Sequence, residues 1–379
     1  MNFDFSDEMH LLRDQARRML EAQCPPAIVR NCLEGDAPFD RKLWQEIARM
    51  GWTGTAIPEE YGGAGLGDEG LCVLAEELGR VLAPVPFASS VYLAAEALLR
   101  HGDDGQKSVW LPRLARGEAV GCFALAEGTG NPAAGAVRAR VQAGRLSGVK
   151  WPVADGAIAD LAVVVAIDDE AGEPGLYLAD LSASGVERLL LGSLDPSRPQ
   201  ARVSFDSVPA QRLAGGSGGW EAVESLLCRA AVLLAFEQVG GASVCLEMAT
   251  AYAKERIAFG RPIGSFQAIK HKLADIYVAN ELARSNAYFG AWTLATAAPE
   301  LPVAASAARV AATEAFRFAA RENIQTHGGM GFTWEVDCQL YHRRASALAI
   351  ELGSVGYWKD RVVTHWTGTS AARLSAQRG

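Results

Sequence analysis

Three glycines stand close together in the segment IQTHGGMGFTWE, at positions 328, 329 and 331. The segment directly follows an alanine-rich stretch with a helical pattern. One glycine is enough to end a helix, because glycine adopts the left-handed conformation at little energetic cost. The pattern leaves two interpretations: a roomy turn before Phe332 and Trp334, or a bare stretch of backbone against which a ligand lies.

The composition is that of an ordinary globular protein, with 379 residues, 49% hydrophobic and 21% charged. A formal net charge of −8 argues against a nucleic-acid-binding protein, which normally carries a basic surface. The N-terminal sequence MNFDFSDEMHLLRD lacks the apolar core of a signal peptide, and no apolar run is long enough to predict a membrane-spanning helix. We therefore expect a cytoplasmic protein without a nucleic-acid or membrane partner.

The seven cysteines are scattered and include no CxxC pair, and the six histidines lack metal-ligand spacing such as HExxH. Scattered cysteines of this kind are typical of reduced, structural thiols. The histidine spacing predicts that the chain holds no metal ion.

Hydrophobic patterning divides the chain into three consecutive regions. Residues 1–118 show helical periodicity, interrupted by the glycine-rich loop IPEEYGGAGLG. Residues 119–215 carry short β-type runs separated by turns, and they predict a small antiparallel β domain. The strands are expected at 120–125, 162–167, 175–181 and 202–205.

Residues 216–379 are helical again and follow the segment AGGSGGW at 214–220, which we expect to be a flexible boundary. Long helices joined by short loops predict a four-helix bundle. They are expected at 221–255, 266–297, 304–326 and 340–366. The sequence thus predicts a multidomain α+β protein with the order α, β, α.

Four segments in this order resemble signatures of the acyl-CoA dehydrogenase family. They are PEEYGGAG (58–65), FDSVPA (205–210), ERIAFGRPIGSFQAIKHKLAD (255–275) and QTHGGMGFTWE (325–335). The resemblance covers the whole chain and implies FAD as the cofactor, an acyl-CoA thioester as the substrate and α,β-dehydrogenation as the reaction. It also implies a dimer or tetramer, and electron-transfer flavoprotein as the electron acceptor.

In the family, FAD lies between subunits, and the QxxGG loop of one subunit contacts the dinucleotide part of FAD held by its neighbour. Gly328 and Gly329 would then leave room for phosphate or ribose, while Arg256 would contact the pyrophosphate. Phe259 would either pack on the cofactor or belong to the core. The complete set that the resemblance assigns to FAD is Arg256, Phe259, Gln267, Gln325, Gly328 and Gly329.

The glutamate that removes a proton from the substrate in this family has no counterpart at its usual positions. One family position aligns with Leu352 in AIELGS, and the other aligns near Ala230. The neighbouring Glu351 lies on the same predicted helix, points about 100° away and is therefore expected to face elsewhere. Glu237, about two helical turns beyond Ala230 and flanked by apolar residues, is a candidate substitute base. Its alternative role is a bond to another helix.

The β region also departs from the family at two positions where a hydroxyl side chain bonds the flavin ring. Ala126 and Gly128 replace the threonine and proline of a TEP-type turn, and Ala154 replaces a Thr or Ser. Two lost hydrogen bonds of roughly 1 kcal/mol each weaken flavin binding without abolishing it.

The altered positions belong to the chain's own flavin pocket, whereas the retained ones face a neighbour's FAD. This distribution resembles the subunit of heteromeric α₂β₂ acyl-CoA dehydrogenases that lacks the base and completes its partner's FAD site. In the family, such pairs act on steroid side chains or other bulky acyl-CoAs. Three alternatives remain: a self-sufficient homo-oligomeric dehydrogenase with an atypical base, a flavin monooxygenase or oxidase on the same fold, and a non-enzymatic interaction protein.

Overall fold

A computed structural model describes residues 5–35, 37–215 and 218–376. Residues 216 and 217, inside the predicted flexible boundary at 214–220, lie outside this range. Within it, no helix is both long enough and apolar enough to cross a membrane.

Helices dominate both ends of the chain, and strands dominate its middle. The helices are α1 (Asp7–Gln23), α2 (Pro26–Glu34), α3 (Arg41–Arg49), α4 (Gly67–Arg80), α5 (Glu96–His101), α6 (Asp104–Ala115), α7 (Gly219–Glu255), α8 (Gln267–Ala295), α9 (Leu301–His327), α10 (Cys338–Leu348) and α11 (Val355–Ala376). The strands are β1 (Gly121–Ala124), β2 (Arg140–Gln142), β3 (Arg145–Ala154), β4 (Leu161–Asp168), β5 (Pro174–Asp180), β6 (Val186–Leu191), β7 (Gln200–Arg212), β8 (Ile257–Ala258) and β9 (Arg261–Pro262). The predicted order of helices, strands and helices is therefore confirmed.

The chain forms two compact units, of which the first, here called the sheet unit, comprises Ala27–Leu71 and Pro84–Ala230. Its sheet has the strand order β1-β4-β2-β3-β7-β5, and β6 pairs with β7. β1 and β2 run parallel to β4, whereas the other pairs are antiparallel. The sheet is therefore mixed, whereas the sequence predicted an antiparallel β domain. β1 and β2 can run parallel to β4 because neither of them is joined to β4 by a simple hairpin.

Three strands of this sheet were not predicted from the sequence, namely β2, β3 and β6. β3 contains Gly148 and Pro152, and its pairing with β7 shifts register between Lys150 and Val153. Glycine and proline weaken a strand pattern, although both are tolerated at bulges. β6 has the sequence VERLLL and does not alternate between apolar and polar residues, so the usual strand signal is missing there.

The second unit, here called the bundle unit, comprises the described residues of Met1–Pro26, Cys72–Ala83 and Ala231–Gly379. Its long helices include α8, α9 and most of α7. The predicted fourth helix at 340–366 is wrong, because α10 ends at Leu348 and α11 begins at Val355. Leu352 and Gly353 between them have φ angles of 59° and 112°. The backbone therefore leaves the helical conformation at the position where the family carries its base.

Backbone contacts between α4 and α7 fix the position of Glu237 within the bundle unit. A Cβ atom on Gly79 would lie 2.0 Å from the main-chain oxygen of Glu237. A Cβ on Gly240 would lie 2.0 Å from the main-chain oxygen of Glu76. Only glycine permits such an approach, so the two helices touch without intervening side chains.

Candidate functional site

The glycines that follow α9 have three different environments. Gly328 has a φ of 62° and a ψ of −137°, a conformation that is essentially reserved for glycine. A Cβ on Gly331 would lie 2.6 Å from the main-chain oxygen of Ile324, so packing requires that glycine. Gly329 has neither constraint, since its φ is not positive and a Cβ there would meet nothing within 4 Å. The fold of the chain therefore does not explain Gly329.

Stacking of His327 on Tyr252 joins the ends of α9 and α7. The ring centroids are 4.2 Å apart, and Nδ1 of the buried His327 lies 2.9 Å from the Asn323 main-chain oxygen. The main-chain oxygen of Tyr252 accepts a hydrogen bond of 2.8 Å from the N–H of Arg256. This stack brings the Arg256 segment close to the glycine turn. Neither aromatic residue was predicted from the sequence as part of a site, although His327 lies inside the glycine motif.

Phe259 occupies the tip of the β8–β9 hairpin and is 95% exposed. It therefore does not belong to the core of the chain, which removes one of its two interpretations. Phe259 and Gly260 have φ angles of 53° and 78°, the pattern of a type I′ turn, in which Asn-Gly is the preferred pair. A phenylalanine at the first of these positions is strained, and strained residues cluster at functional sites.

The remaining predicted FAD residues are also on the surface of the bundle unit. Arg256, Gln267, Gln325, Gly328 and Gly329 are all exposed. An ion pair of 2.7 Å between Lys272 and Glu322 joins the first part of α8, which carries Gln267, to the last part of α9, which carries Gln325. Together with the Tyr252–His327 stack, this pair gathers the predicted residues into one surface, here called the glycine-turn surface.

The donors on this surface suit the phosphates and ribose of FAD. Arg256 makes no ion pair within the described part of the chain, and the amide side chains of Gln267 and Gln325 bond no other described residue. A free guanidinium, two free amides and the open backbone at Gly329 are suitable donors for phosphate oxygens and hydroxyl groups. The surface therefore fits the dinucleotide part of the cofactor.

A buried arginine on α9 stabilises the turn that contains Leu352 by hydrogen bonds to its main chain. Arg309, only 1% exposed, donates a hydrogen bond of 2.8 Å to the Glu351 main-chain oxygen and another to that of Leu348. It also donates to the side chain of Gln238. A cation is favourable beside the last carbonyls of a helix, here α10. Because the segment is a turn, the helical argument that separated Glu351 from Leu352 does not apply.

Glu237 is buried, but its surroundings are not wholly apolar. Its Oε1 lies 3.5 Å from Nη1 of Arg344, and the two side chains are 6% and 1% exposed. Arg344 also donates a hydrogen bond of 3.2 Å to the Leu82 main-chain oxygen. A buried carboxylate opposite a buried guanidinium forms an ion pair between helices, which matches the alternative role considered for Glu237.

In the sheet unit, the turn that contains Ala126 keeps its backbone pairing. The N–H of Trp151 donates to the Ala126 main-chain oxygen at 2.8 Å, and the N–H of Gly128 donates to that of Trp151 at 2.9 Å. Ala154 lies at the end of the same strand, β3. Both positions therefore retain an ordered backbone but offer no hydroxyl to a flavin.

A buried ion pair that the sequence analysis missed supports this turn. Nζ of the fully buried Lys150 lies 2.6 Å from Oε1 of Glu127, which also accepts the N–H of Ala139 at 3.0 Å. Burial acts most strongly on Glu127 and tends to raise its pKa, but the Ala139 N–H and Lys150 outweigh burial and hold that pKa below its usual value. The pair keeps Glu127 ionised and the turn in place.

No group of three or more His, Cys, Asp and Glu side chains among residues 5–35, 37–215 and 218–376 is arranged to hold a metal ion. The chemistry available is thus that of hydrogen-bond donors, a cation and bare backbone. The chain thus has the order α, β, α, and the glycine-turn surface of its helical bundle is suited to binding a nucleotide cofactor.

Comparison with known proteins gives the family. The models described as acyl-CoA dehydrogenase N-terminal domain and C-terminal domain match residues 6–118 and 217–364. The chain is 34% identical over 346 residues to the acyl-CoA dehydrogenase IpdE2 of Mycobacterium tuberculosis, covering 90% of this chain and 92% of that protein. This chain belongs to the acyl-CoA dehydrogenase family, which consists of FAD-binding oxidoreductases that act on CH–CH groups.

Two solved structures of complexes are also similar. The Tcur3481–Tcur3483 steroid ACAD has a TM-score of 0.88 and 31% identity, with 96% of this chain and 99% of that chain covered. The ChsE4–ChsE5 complex of Mycobacterium tuberculosis has a TM-score of 0.88 and 27% identity, with 97% and 99% covered. The family resemblance found in the sequence motifs and the fold expected from it are thereby confirmed.

Proposed function

We propose that this chain is the base-lacking subunit of a heteromeric acyl-CoA dehydrogenase and completes the FAD site of a second family member. The observation that carries this proposal is the glycine-turn surface, where Gly329 is bare without a reason in the chain's own fold. The proposed substrate is an acyl-CoA thioester that undergoes α,β-dehydrogenation, and the proposed electron acceptor is electron-transfer flavoprotein.

Each side of the proposed subunit interface has a distinct task. FAD, when bound, accepts the hydride from the β-carbon of the substrate. The guanidinium of Arg256 would neutralise pyrophosphate charge, Gln267 and Gln325 would bond the adenosine half, and Gly329 would permit close approach. The side chain of Leu352 cannot accept a proton, and we propose that the partner subunit supplies the carboxylate that removes the α-proton.

The similar complexes support both the assembly and the class of substrate. Tcur3481–Tcur3483 and ChsE4–ChsE5 are each named as a pair of different chains, and the first is named as a steroid ACAD. We therefore propose a bulky, steroid-type acyl-CoA as the substrate. The self-sufficient alternative with Glu237 as the base is less well supported, because Arg344 already pairs with that carboxylate.

The direct test is the ratio of flavin to protein, measured on the chain alone and after co-expression with each acyl-CoA dehydrogenase of its host. We expect little flavin in the lone chain and a stable, yellow complex with one partner that carries the glutamate. A lone chain that retains a full complement of FAD and oxidises an acyl-CoA would contradict the proposal.

The Arg256→Ala substitution should lower the FAD content of the assembled complex while leaving the lone chain as stable as the wild type. Arg256 is exposed, and its guanidinium makes no ion pair or hydrogen bond with another described residue, so its removal breaks no polar contact there. Loss of one charge-assisted contact weakens FAD binding by about 2 kcal/mol, roughly thirtyfold. Absorbance at the flavin band per mole of complex measures the effect, with Arg18→Gln, another exposed arginine, as the control.

The Leu352→Glu substitution should not create activity in the lone chain. A carboxylate at this position would restore the type of residue that the family uses, but Ala126 and Ala154 would still lack their hydroxyl groups. Turnover of a panel of acyl-CoA substrates with an artificial electron acceptor tests this expectation. Substantial turnover after this single change would favour a chain with a complete flavin pocket of its own.

The Phe259→Asn substitution should lower the flavin content of the assembled complex without destabilising the lone chain. Asparagine relieves the left-handed strain of about 1 kcal/mol, and the substitution loses an edge-on contact with Phe266 of similar size, so the stability of the lone chain should stay within about 1 kcal/mol of wild type. Flavin content of the complex should fall. Leu11→Gln removes another exposed apolar side chain of the bundle unit and should leave flavin content unchanged. If Phe259→Asn and Leu11→Gln lowered the flavin content of the complex equally, Phe259 would not be part of the FAD site.

A further inference from the structure

A concave surface of the bundle unit lies between α9 and α10, and none of its residues has been assigned to the FAD site. It encloses about 390 Å³, a volume within the range of small-molecule sites. Its lining residues are Glu314, Arg317, Phe318, Arg321, His342, Ala345 and Ser346. We call it the α9–α10 groove.

Small residues on α10 create this groove. Ala345 is fully buried and forms its floor, while Ser346, one position further on, leaves space above that floor. The hydroxyl of Ser346 turns back to donate to the His342 main-chain oxygen at 2.9 Å. The space is therefore a consequence of side-chain size at particular positions and not of a loose helix–helix contact.

The walls carry polar groups at helical spacing. Arg317 and Arg321 are four residues apart on α9, and His342 and Ser346 are four residues apart on α10. Residues at this spacing share one face of a helix, with Cβ atoms about 6 Å apart. α9 thus presents Glu314 and two arginines to the groove, and α10 presents His342 and Ser346. Phe318 adds an aromatic wall, and the guanidinium carbon of Arg321 lies 5.4 Å from its ring centroid.

The charge of the groove is positive, although the whole chain has a net charge of −8. Arg317 makes no ion pair within the described residues. Arg321 lies 3.0 Å from Glu322, but Lys272 also lies 2.7 Å from that carboxylate, and Lys359 lies 2.6 Å from Glu314. Two carboxylates therefore offset the charges of two arginines and two lysines only in part, and an anion in the groove would offset the excess.

His342, which lines the groove on α10, has a lowered pKa. Burial, followed by the charges of Arg317 and Arg343, lowers the pKa of His342 below its usual value. At neutral pH its imidazole is thus uncharged and offers one hydrogen-bond donor and one acceptor.

We propose that the α9–α10 groove binds the phosphate groups of a nucleoside diphosphate. Two guanidiniums one turn apart can each hold one of two consecutive phosphates, and arginine matches phosphate geometry by paired hydrogen bonds. Phe318 provides a flat surface for a base or ribose. An acidic segment of another protein could bind equally well to a flat basic patch and would need neither a concave surface nor an aromatic wall. These two features therefore favour a small phosphorylated ligand.

The groove is independent of the proposed function, because its test uses the lone chain and does not depend on flavin loading. Isothermal titration of the purified full-length chain with ADP measures binding, with pyrophosphate as a further arm. Binding of ADP that is tighter than binding of pyrophosphate identifies the nucleotide as the recognised unit. Binding of pyrophosphate as tight as that of ADP shows that the diphosphate is sufficient. Either result supports the site, and no binding in any arm overturns it.

Two variants test whether the groove itself binds. The double substitution Arg317→Gln with Arg321→Gln should weaken ADP binding at least tenfold. Ser346→Leu should do the same by filling the groove without changing its charge. Arg18→Gln, an exposed arginine on α1, should change ADP binding less than twofold, and thermal melts would verify that each variant is folded.

Three further outcomes would overturn the proposal. Unchanged binding in Ser346→Leu would reduce the groove to a diffuse basic patch. Binding of polyglutamate as tight as that of ADP would assign the charge to an acidic protein partner. A loss of ADP binding in Arg256→Ala larger than that in the double variant would place the nucleotide on the glycine-turn surface instead.

Discussion

A Gly329→Val variant is expected to fold normally and to lower the FAD content of the assembled complex at least tenfold. The space above Gly329 is open, since a Cβ there would meet nothing within 4 Å, and its φ is not positive. Valine therefore introduces no clash within the chain. If a phosphate or ribose of the partner's FAD lies against this backbone, the branched side chain occupies its place. Tenfold corresponds to about 1.4 kcal/mol, a modest demand for a direct steric conflict.

Gly328→Ala is the matched control for this variant, because Gly328 and Gly329 are both exposed but differ in backbone conformation. Its φ of 62° and ψ of −137° disfavour any side chain, so alanine should destabilise the lone chain by about 1–3 kcal/mol. Denaturant unfolding of both lone chains and flavin absorbance of both complexes separate the two effects. A Gly329→Val complex with a full complement of FAD would show that the cofactor does not approach this backbone.

These neighbouring glycines illustrate what the sequence could reveal. Their unusual number predicted that more than a helix stop was present. The sequence could not say which glycine serves the fold, because this depends on φ at Gly328 and on the approach of Ile324 to Gly331. The order of helices and strands was predictable from periodicity, which is a local property.

The break between α10 and α11 was not predictable in the same way. Apolar residues continue at helical spacing through AIELGS, and its single glycine is a weak stop signal. The turn is held by Arg309, which belongs to α9 and bonds the main-chain oxygens of Leu348 and Glu351. A helix end that is fixed by a side chain distant in sequence leaves no mark in the local pattern.

Buried ion pairs were missed for a related reason. Glu127 with Lys150, and Glu237 with Arg344, each join residues that are far apart in the chain. Viewed within its own helix, Glu237 has mostly apolar neighbours and resembles a desolvated base. Its environment in the fold includes a guanidinium that only the packing of α10 provides. Candidate catalytic carboxylates are therefore the residues for which sequence alone is least informative.

A Glu237→Gln variant is expected to lose about 3 kcal/mol of unfolding free energy, because it removes the negative charge opposite the buried Arg344 guanidinium. The amide oxygen still accepts one hydrogen bond, which keeps the loss at the lower end of the range for a broken buried pair. Denaturant unfolding of the lone chain measures this change. Adding Arg344→Met removes the buried positive charge and should recover part of the loss, although it also removes the hydrogen bond to the Leu82 main-chain oxygen, worth about 1 kcal/mol.

The same pair of variants decides whether Glu237 takes part in catalysis. If it is an ion-pair partner only, the double variant should assemble with the partner subunit and turn over acyl-CoA at nearly the wild-type rate, because the base comes from the other chain. If Glu237 removes the α-proton, both variants should lose about 10²–10⁴-fold in rate, and restored stability would not restore turnover. Stability that recovers without activity would thus assign the base to this chain and refute the division of labour between subunits.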